Sequence, residues 1–236
     1  MILSAHQPAY IPWAGYIHKI ISSDVFIILD NVQYEKNSFI NRNYLLMNNE
    51  PKLLTVPVEL KSHISTKIID IKIANNQKWA RKHLQSIQLN YNKTPFYNKH
   101  IQFFEKIFYQ EWIYINDLNN KILEYFLLEL KCNTIIKKMS ETSIKGKKTD
   151  LIINLCNEFN CDVFILGVNG KNYINNTLGK KNNISFLVQE FDSEKYNNYL
   201  KKKLDKNLSV LDILFNMPSE NISEYILSHG NLLESH

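Results

Sequence analysis

The hydrophobic pattern of residues 1–30 predicts a strand, a loop, a helix and a second strand. Residues 2–5 and 25–29 are short apolar runs, which is typical of strands buried in a core. Pro8 and Pro12 keep the loop out of a helix, because proline fixes φ and lacks an N–H donor. From Trp13 onward, apolar side chains recur at helical spacing and predict a helix with one face on the sheet.

A β-hairpin is predicted next. Residues 39–47 and 52–58 read as two strands that pair across a turn at residues 48–51. Pro57 places the second strand at a sheet edge, because it cannot donate to a ladder. Residues 68–73 alternate between apolar and polar side chains, which predicts a half-exposed strand.

The helical period dominates the middle of the chain. It predicts helices at residues 77–90, 95–108 and 115–130, within a helical region of about residues 77–131 that is inserted between sheet strands. Strands and helices then alternate again. The predicted segments are strands at residues 133–136, 163–166 and 184–188, a helix at residues 150–160, and C-terminal helices within residues 209–230.

Together these elements predict an α/β fold with a mostly parallel, Rossmann-like sheet of five strands, a β-hairpin and an inserted helical region. We expect one domain over residues 1–236.

Composition and charge narrow the class of protein. Hydrophobic residues make up 44% of the chain, and 28 basic residues against 23 acidic ones give a net charge of +5. This mild charge does not predict a nucleic-acid partner. The three cysteines lack the spacing of a disulfide framework or a zinc site, so no metal site is predicted. Neither a signal peptide nor a long apolar span is visible, and we expect a cytoplasmic protein without membrane insertion.

Polar residues follow the predicted strands at the edge where α/β folds bind ligands. His6 and Gln7 follow the first strand, and His6 is expected to act on a substrate oxygen or to contact a phosphate. The alternative is a buried histidine that is bonded to backbone. Asp30 ends the second strand, where it orients a base or an amine, or caps a turn.

The predicted helix adds a second group of candidates. Its first N–H groups and its positive dipole end suit an anion. Lys19 can reach a phosphate from this helix, although a solvated lysine is an equal reading. His18 is expected on the helix surface.

Two further segments carry candidate binding residues. Asn41 and Arg42 offer planar donors that hold a carboxylate or a phosphate, with a structural ion pair as the alternative for Arg42. Gly167, Gly170 and Tyr173 follow a predicted strand, and the glycines let backbone approach a ligand, although ordinary turns share this spacing.

Several motifs lie along nearly the whole chain. They are His6-Gln-Pro8-x-Tyr10-x-Pro12-Trp13-x-Gly15-Tyr16-x-x-Lys19, Asp30-x-Val32-Gln33-Tyr34, Asn41-Arg42-Asn43 and Thr55-Val-Pro57-Val, with further matches at residues 167–173, 189–191 and 208–216. The set resembles the WbqC-like family. Its members occur with surface-polysaccharide (O-antigen) genes, and a glycine-transferring role has been suggested. The resemblance therefore implies a transferase of lipopolysaccharide biosynthesis, and it carries over no established catalytic residue. Within these motifs, Tyr10, Trp13 and Gln33 are counted as substrate-binding.

The opening also resembles that of the HIGH-type nucleotidyltransferases, in which a strand and a loop precede a glycine and a helix. Gly15 falls on the glycine of their His-x-Gly-His signature, whereas Trp13 and Tyr16 stand at the two histidine positions. The sequence thus departs from the pattern of conventional adenylate chemistry. Some relatives of that nucleotidyltransferase-like fold form an acyl-adenylate and pass the acyl group to an amine.

We therefore expect a transferase or amide-forming ligase that attaches an aminoacyl or acyl group, in the first instance glycyl, to an amino-sugar nucleotide. His6 is the expected base or phosphate contact, Asp30 orients the amine, and Arg42 with Asn41 holds an anion. The loop at Gly167 closes over the ligand. The expected partners are a nucleotide-linked amino sugar and a small acyl or amino-acid donor. No cofactor is required by the sequence, and both ATP with Mg²⁺ and a homo-oligomer are compatible with it.

Two alternatives remain open. One is a nucleotidyltransferase that acts on a sugar or alcohol phosphate. The other is a non-catalytic scaffold of a glycan-assembly complex, which predicts that His6, Asp30 and Arg42 do not converge on one pocket.

Overall fold

The computed structural model describes residues 1–48, 50–60, 66–76, 78–172, 174–197 and 207–235. The strands are β1 (Ile2–His6), β2 (Val25–Ile28), β3 (Arg42–Met47), β4 (Glu50–Thr55), β5 (Val58–Glu59), β6 (Lys72–Ile73), β7 (Ile135–Lys138), β8 (Val163–Leu166), β9 (Ser185–Phe191) and β10 (Gly230–Glu234). The helices are α1 (Ala14–Ile21), α2 (Trp79–Tyr91), α3 (Tyr97–Tyr109), α4 (Ile115–Glu129), α5 (Lys148–Glu158), α6 (Asn176–Lys181), α7 (Ser193–Tyr196), α8 (Leu211–Asn216) and α9 (Ser219–Leu227).

The described strands form a central sheet of six strands in the order β10-β9-β8-β1-β2-β7. All neighbours are parallel except β10, which pairs antiparallel with β9. β1 lies in the middle. The chain builds outward from it to β2 and β7, and then crosses to its other side to form β8 and β9. The strand order therefore reverses between β1 and β8, and crevices at such switch points are where open α/β sheets bind ligands.

The two faces of the sheet carry separate hydrophobic cores, because side chains alternate along each strand. Leu3 and Ala5 of β1 pack toward α5 with Ile152 and Leu155. The opposite face packs against α1, where Ile17 and Phe26 join a larger core built with α4, α8 and α9. β1 is thus covered on both sides, and even Ser4 in its middle is buried, with its hydroxyl hydrogen-bonded to Ser23 and to the backbone of Lys19.

The predicted α/β class, the mostly parallel sheet and the hairpin are confirmed, with one strand more than expected. β3 pairs antiparallel with β4, and α2, α3 and α4 lie between β6 and β7. The sixth strand is β10, which begins at Gly230, where the predicted C-terminal helices end, and for which no strand was predicted. Apolar and polar residues do not alternate in its short sequence, in which Leu232 and Leu233 are adjacent. The segment is a strand because it pairs with β9.

The prediction of a strand over residues 68–73 is largely wrong. Ile68–Asp70 forms a 3₁₀ helix, and Lys72–Ile73 alone pairs, with β5. Ile68, Ile71 and Ile73 are all buried, so the isoleucines do not alternate between an exposed and a buried face. The longest described helix, α4, has 15 residues, and within the described ranges no helix combines the length and apolar character needed to cross a membrane.

Candidate functional site

A cavity of about 560 Å³ opens at the carboxyl edge of the sheet, beside the switch point between β1 and β8. We call it the edge cavity. It is lined by six of the residues predicted to bind or act on substrate, namely His6, Gln7, Trp13, Lys19, Gly167 and Gly170. The residues selected at the ends of β1 and β8 therefore line one opening, whereas Asp30 at the end of β2 does not.

His6 stands at the end of β1 with its ring against aromatic side chains. The ring lies edge-on to Trp13 and Tyr16, with centroids 5.4 and 5.0 Å away. Nδ1 lies 2.9 Å from the carbonyl oxygen of Gln7, which can only accept, so Nδ1 carries the proton and Nε2 carries the lone pair. Burial, and next the charge of Lys19, lower the pKa of His6 to about 4. His6 is therefore neutral near pH 7, and Nε2 can accept a proton.

Lys19 brings an ammonium group to the same cavity from α1. Its side chain is only 5% exposed, and Nζ donates to the carbonyl oxygen of Ala5 at 3.1 Å. Burial lowers the pKa of Lys19 to about 8, so most of its population is still charged at pH 7. The edge cavity thus pairs a neutral histidine with a buried cation.

The start of α1 adds backbone donors. Trp13 occupies the N-cap position without a side-chain hydrogen bond, and the first turn contains no acidic residue. Gly15 lines the edge cavity, and a Cβ there would lie 3.2 Å from Nε1 of Trp13 and 3.4 Å from the ring of Phe191. The uncapped N–H groups and the helix dipole favour an anion here.

Asn43 of the hairpin holds the loop between β1 and α1. Its Nδ2 donates to the carbonyl oxygens of Ile11 and Tyr10, at 2.6 and 3.3 Å. Ile11 has φ of +41°, a conformation that is costly for a β-branched residue and that persists only where its surroundings impose it. The hairpin therefore positions the wall of the edge cavity without reaching into it.

Gln189 is a lining residue that the sequence reading did not select. Its Nε2 donates to the carbonyl oxygen of Gly15 at 2.7 Å and lies 2.8 Å from Nδ1 of His18. His18 is 2% exposed, so its expected position on the helix surface is wrong, because β9 and the backbone of Gly230 cover that side of α1. The signal for Gln189 was its place after an apolar strand, which is the signal that selected His6.

The two glycines of the loop after β8 differ in the space that a side chain would have. A Cβ on Gly170 would lie 2.9 Å from Cβ of Leu166, so the tight turn excludes a side chain. A Cβ on Gly167 would meet no atom within 4 Å, so this position faces open space. Tyr173, predicted to bind substrate from the same loop, lies outside the described residues.

Asp30 lies at the same edge of the sheet, but it is not among the residues that line the edge cavity. Its carboxylate is fully buried and accepts two hydrogen bonds from Ser140, from the backbone N at 2.9 Å and from Oγ at 2.6 Å. These bonds fasten the turn after β7 to the end of β2. The structure therefore places Asp30 in a structural contact, which is the turn-capping reading left open above.

The remaining predicted binding residues also lie away from the edge cavity. Tyr10 is buried, with its hydroxyl 2.7 Å from Nδ1 of His83. Asn41 donates to the carbonyl oxygen of Val56 at 2.7 Å. Arg42 lies in β3, and Gln33 is exposed at a bridge to Lys67. Neither Asp30 nor Arg42 joins His6 at the cavity, which is what the scaffold alternative predicted.

Comparison with known proteins supports the resemblance that the sequence motifs indicated. The model of the WbqC-like protein family matches residues 7–224. The chain belongs to the WbqC-like protein family. Among its relatives is an uncharacterized protein of Mycobacterium tuberculosis, Rv1507c, which is 28% identical over 217 residues, or 91% of this chain and 93% of the relative. Within the described ranges of the WbqC-like chain, no three His, Cys, Asp or Glu side chains are grouped to hold a metal ion.

Proposed function

We propose that this WbqC-like protein transfers an aminoacyl or acyl group, in the first instance glycyl, to the amine of a nucleotide-linked amino sugar used in surface-polysaccharide biosynthesis. The observation that carries the proposal is the meeting of neutral His6 and charged Lys19 in one cavity of about 560 Å³. A base without charge can remove the proton of the attacking amine, and a buried cation can stabilise the oxyanion that forms in acyl transfer.

In the proposed reaction the sugar amine attacks the carbonyl carbon of an activated acyl donor, either an acyl-adenylate made from ATP or a thioester. The new C–N bond forms, and the carbonyl oxygen becomes negative. Lys19, which donates through Nζ to the carbonyl of Ala5, is placed to stabilise that oxygen. Nε2 of His6 accepts the proton that the nitrogen loses. As the C–O or C–S bond breaks, the imidazolium returns this proton to the leaving group, which its low pKa favours.

The nucleotide part of the acceptor is assigned to the start of α1. Its diphosphate would receive hydrogen bonds from the uncapped N–H groups beside Gly15, supported by the helix dipole. Gln189, bonded to the carbonyl of Gly15, keeps this turn in place. In this assignment Asp30, Asn41 and Arg42 have supporting roles in the fold.

The test is to incubate the purified protein with nucleotide-activated amino sugars, glycine, ATP and Mg²⁺, and to search by mass spectrometry for the glycyl adduct. We expect an adduct with at least one sugar, and its loss in His6→Ala. His229→Ala is the matched control, because His229 contacts Tyr225 and is not among the residues lining the cavity. An adduct that survives unchanged in His6→Ala, or no adduct with any sugar or donor, would contradict the proposal.

The scaffold alternative is kept as a second candidate, because Asp30 and Arg42 do not line the edge cavity. It predicts that no sugar nucleotide or acyl donor binds, which calorimetry on the same ligands decides. A nucleotidyltransferase would instead join a sugar or alcohol phosphate to the nucleotidyl group of a nucleoside triphosphate, with release of pyrophosphate and without forming an amide.

A further inference from the structure

The pairing between β1 and β8 stops before the two strands end. The last paired residues are Ser4 and Ile165, although β1 continues to His6 and β8 to Leu166. On its other side β1 stays paired with β2 to His6 itself. The sheet therefore opens at one place along its carboxyl edge, between Ala5 and the end of β8.

A second cavity of about 190 Å³ lies at this opening, on the α5 face of the sheet. We call it the apolar cavity. Its wall is formed mainly by large apolar side chains from α5, β8 and the end of β2, which are Leu29, Leu151, Ile152, Leu155, Phe164 and Leu166. Lys148, at the exposed start of α5, is the second charged residue of the lining besides Lys19. A cavity of about 150 Å³ with this kind of lining holds a molecule of benzene, so about six carbon atoms fit.

The edge cavity and the apolar cavity share four lining residues, namely Ala5, Lys19, Leu29 and Gly167. Lys19 lies on α1, and its Nζ reaches the carbonyl oxygen of Ala5, so the ammonium group lies where the two cavities adjoin. Gly167 borders the same place and leaves it open, because a Cβ there would meet no atom within 4 Å. A ligand can thus place a charged or polar head at Lys19 and an apolar chain beyond it.

We propose that the apolar cavity binds a linear aliphatic acyl group of about four to six carbons, with its carbonyl or carboxylate oxygens at Lys19. Carbon chains of this length fill the volume, and the ammonium group complements the negative oxygens at the junction. The inference rests on the proposed acyl transfer for its reaction, because it names a donor larger than glycyl, but binding can be measured without any transfer. A glycyl group would leave the apolar cavity empty.

The first experiment uses the whole protein and a series of free carboxylates as probes: glycine, acetate, butyrate and hexanoate, measured by calorimetry at pH 7. Each methylene that becomes buried strengthens binding about fourfold. Hexanoate is therefore expected to bind on the order of 100-fold more tightly than acetate. Equal affinities for hexanoate and acetate, or a preference for glycine, would overturn the proposal.

The second experiment uses a substitution at Gly167 that narrows the passage between the edge cavity and the apolar cavity. Gly167→Leu adds a side chain at the open position and is expected to remove the preference for hexanoate over acetate, whereas Gly167→Ala, which adds one carbon, keeps most of it. The backbone of Gly167 does not lie in the left-handed region, so both variants avoid backbone strain. An unchanged preference in Gly167→Leu, in a protein with wild-type circular dichroism, would contradict the assignment. Should that variant not fold, the carboxylate series on the wild-type protein still decides.

The two proposals fail in different ways. Tight hexanoate binding without any amide product would contradict acyl transfer and retain the acyl site. A glycyl adduct without hexanoate binding would retain the transfer and overturn the acyl site.

Discussion

Two places on the carboxyl edge of the sheet carry polar residues, and they differ in whether those residues satisfy one another. At the end of β2 and β7, the carboxylate of Asp30 accepts both donors of Ser140, and the strands stay paired to Ile28 and Lys138. At the end of β1 and β8, pairing stops early, and His6 and Lys19 line a cavity. We call the ends of β2 and β7 the closed place, because their polar groups bond one another. We call the ends of β1 and β8 the open place, because their polar groups face a cavity.

The comparison shows why a strand end by itself does not define a site. Both places have a charged or titratable side chain directly after a buried strand, and the sequence cannot tell them apart. The switch in strand order separates them, because β8 lies on the far side of β1 and pairs with it only as far as Ser4, whereas β7 continues the same side of the sheet. Open polar groups at a switch point are available to a ligand. Polar groups that bond one another stabilise the fold.

The largest expected effect tests the open place. His6→Ala is expected to lower the rate of acyl transfer by about 10²- to 10⁴-fold, which is the usual contribution of a positioned base. The free energy of unfolding should fall by only about 1 kcal/mol, because the ring packs at the cavity wall against Trp13 and Tyr16. Rate assays and urea unfolding on the same preparation measure the two quantities. A rate that falls only in proportion to the unfolded fraction would make His6 structural.

The closed place is tested by Asp30→Ala. Removing a buried acceptor of two hydrogen bonds is expected to cost about 2 to 4 kcal/mol of unfolding free energy, since the backbone N of Ser140 loses its partner. Asp30→Asn keeps one acceptor oxygen and should cost about half as much. Urea unfolding followed by circular dichroism measures both. If Asp30→Ala were as stable as the wild-type protein but inactive, the two places would belong to one site.

A second buried acid sharpens the contrast with Asp30. Asp212 of α8 is buried, and burial raises its pKa to about 7, against the smaller lowering effect of hydrogen bonds with the Tyr91 hydroxyl and the backbone of Leu46. Below pH 4 the carboxyl is protonated in both states. Between pH 4 and pH 7 the unfolded state loses the proton first, so stability falls as pH rises through this window and the loss is complete above pH 7.

Asp212→Asn removes this titration. We expect the difference in unfolding free energy between variant and wild type to shift by about 2 kcal/mol in favour of the variant from pH 4 to pH 8. Urea unfolding at pH 4, 6 and 8 measures it. A difference that is constant with pH would show that Asp212 is ionised in the folded protein.

The smallest expected effect concerns Lys19. Burial lowers the pKa of its ammonium group to about 8, so the group is mostly charged at pH 7 and mostly neutral at pH 9. Hexanoate should therefore bind about tenfold more weakly at pH 9 than at pH 7, as the charged fraction falls. Lys19→Arg keeps the charge at both pH values and is expected to remove this dependence. Binding that is independent of pH in the wild-type protein would place the carboxylate away from Lys19.

The sequence predicted the elements that depend on local pattern. The apolar runs gave β1, β2, β8 and β9, the helical stripes gave α2 to α5, and the position after β1 selected His6. It also selected Lys19 and Gly167 as candidate binding residues, and both line the edge cavity. The motifs at residues 6–19 predicted membership of the WbqC-like family, and the match of the family model to residues 7–224 confirmed it.

Other residues could not be placed from pattern. Asn41 and Arg42 lie among aromatic residues that suggested recognition, but Asn41 bonds the backbone of Val56 and Arg42 lies in β3, and neither lines the edge cavity. No local pattern around His18 predicts its burial, because Gln189 of β9, which contacts it, lies 171 positions further along the chain. Contacts of such long separation are fixed by packing, and a window of ten residues contains no information on them.

The sequence by itself determined which segments form the central strands and helices of the fold, because burial imposes a hydrophobic period that can be recognised in a single sequence. It also determined that His6 ends a buried strand. Only the tertiary structure decided that β8 leaves β1 after Ser4, while β7 stays with β2 and Ser140 meets Asp30. Strand order and hydrogen-bond partners arise from the packing of distant segments. That packing leaves a cavity at the ends of β1 and β8 and a hydrogen-bonded turn at the ends of β2 and β7, on the same edge of the sheet.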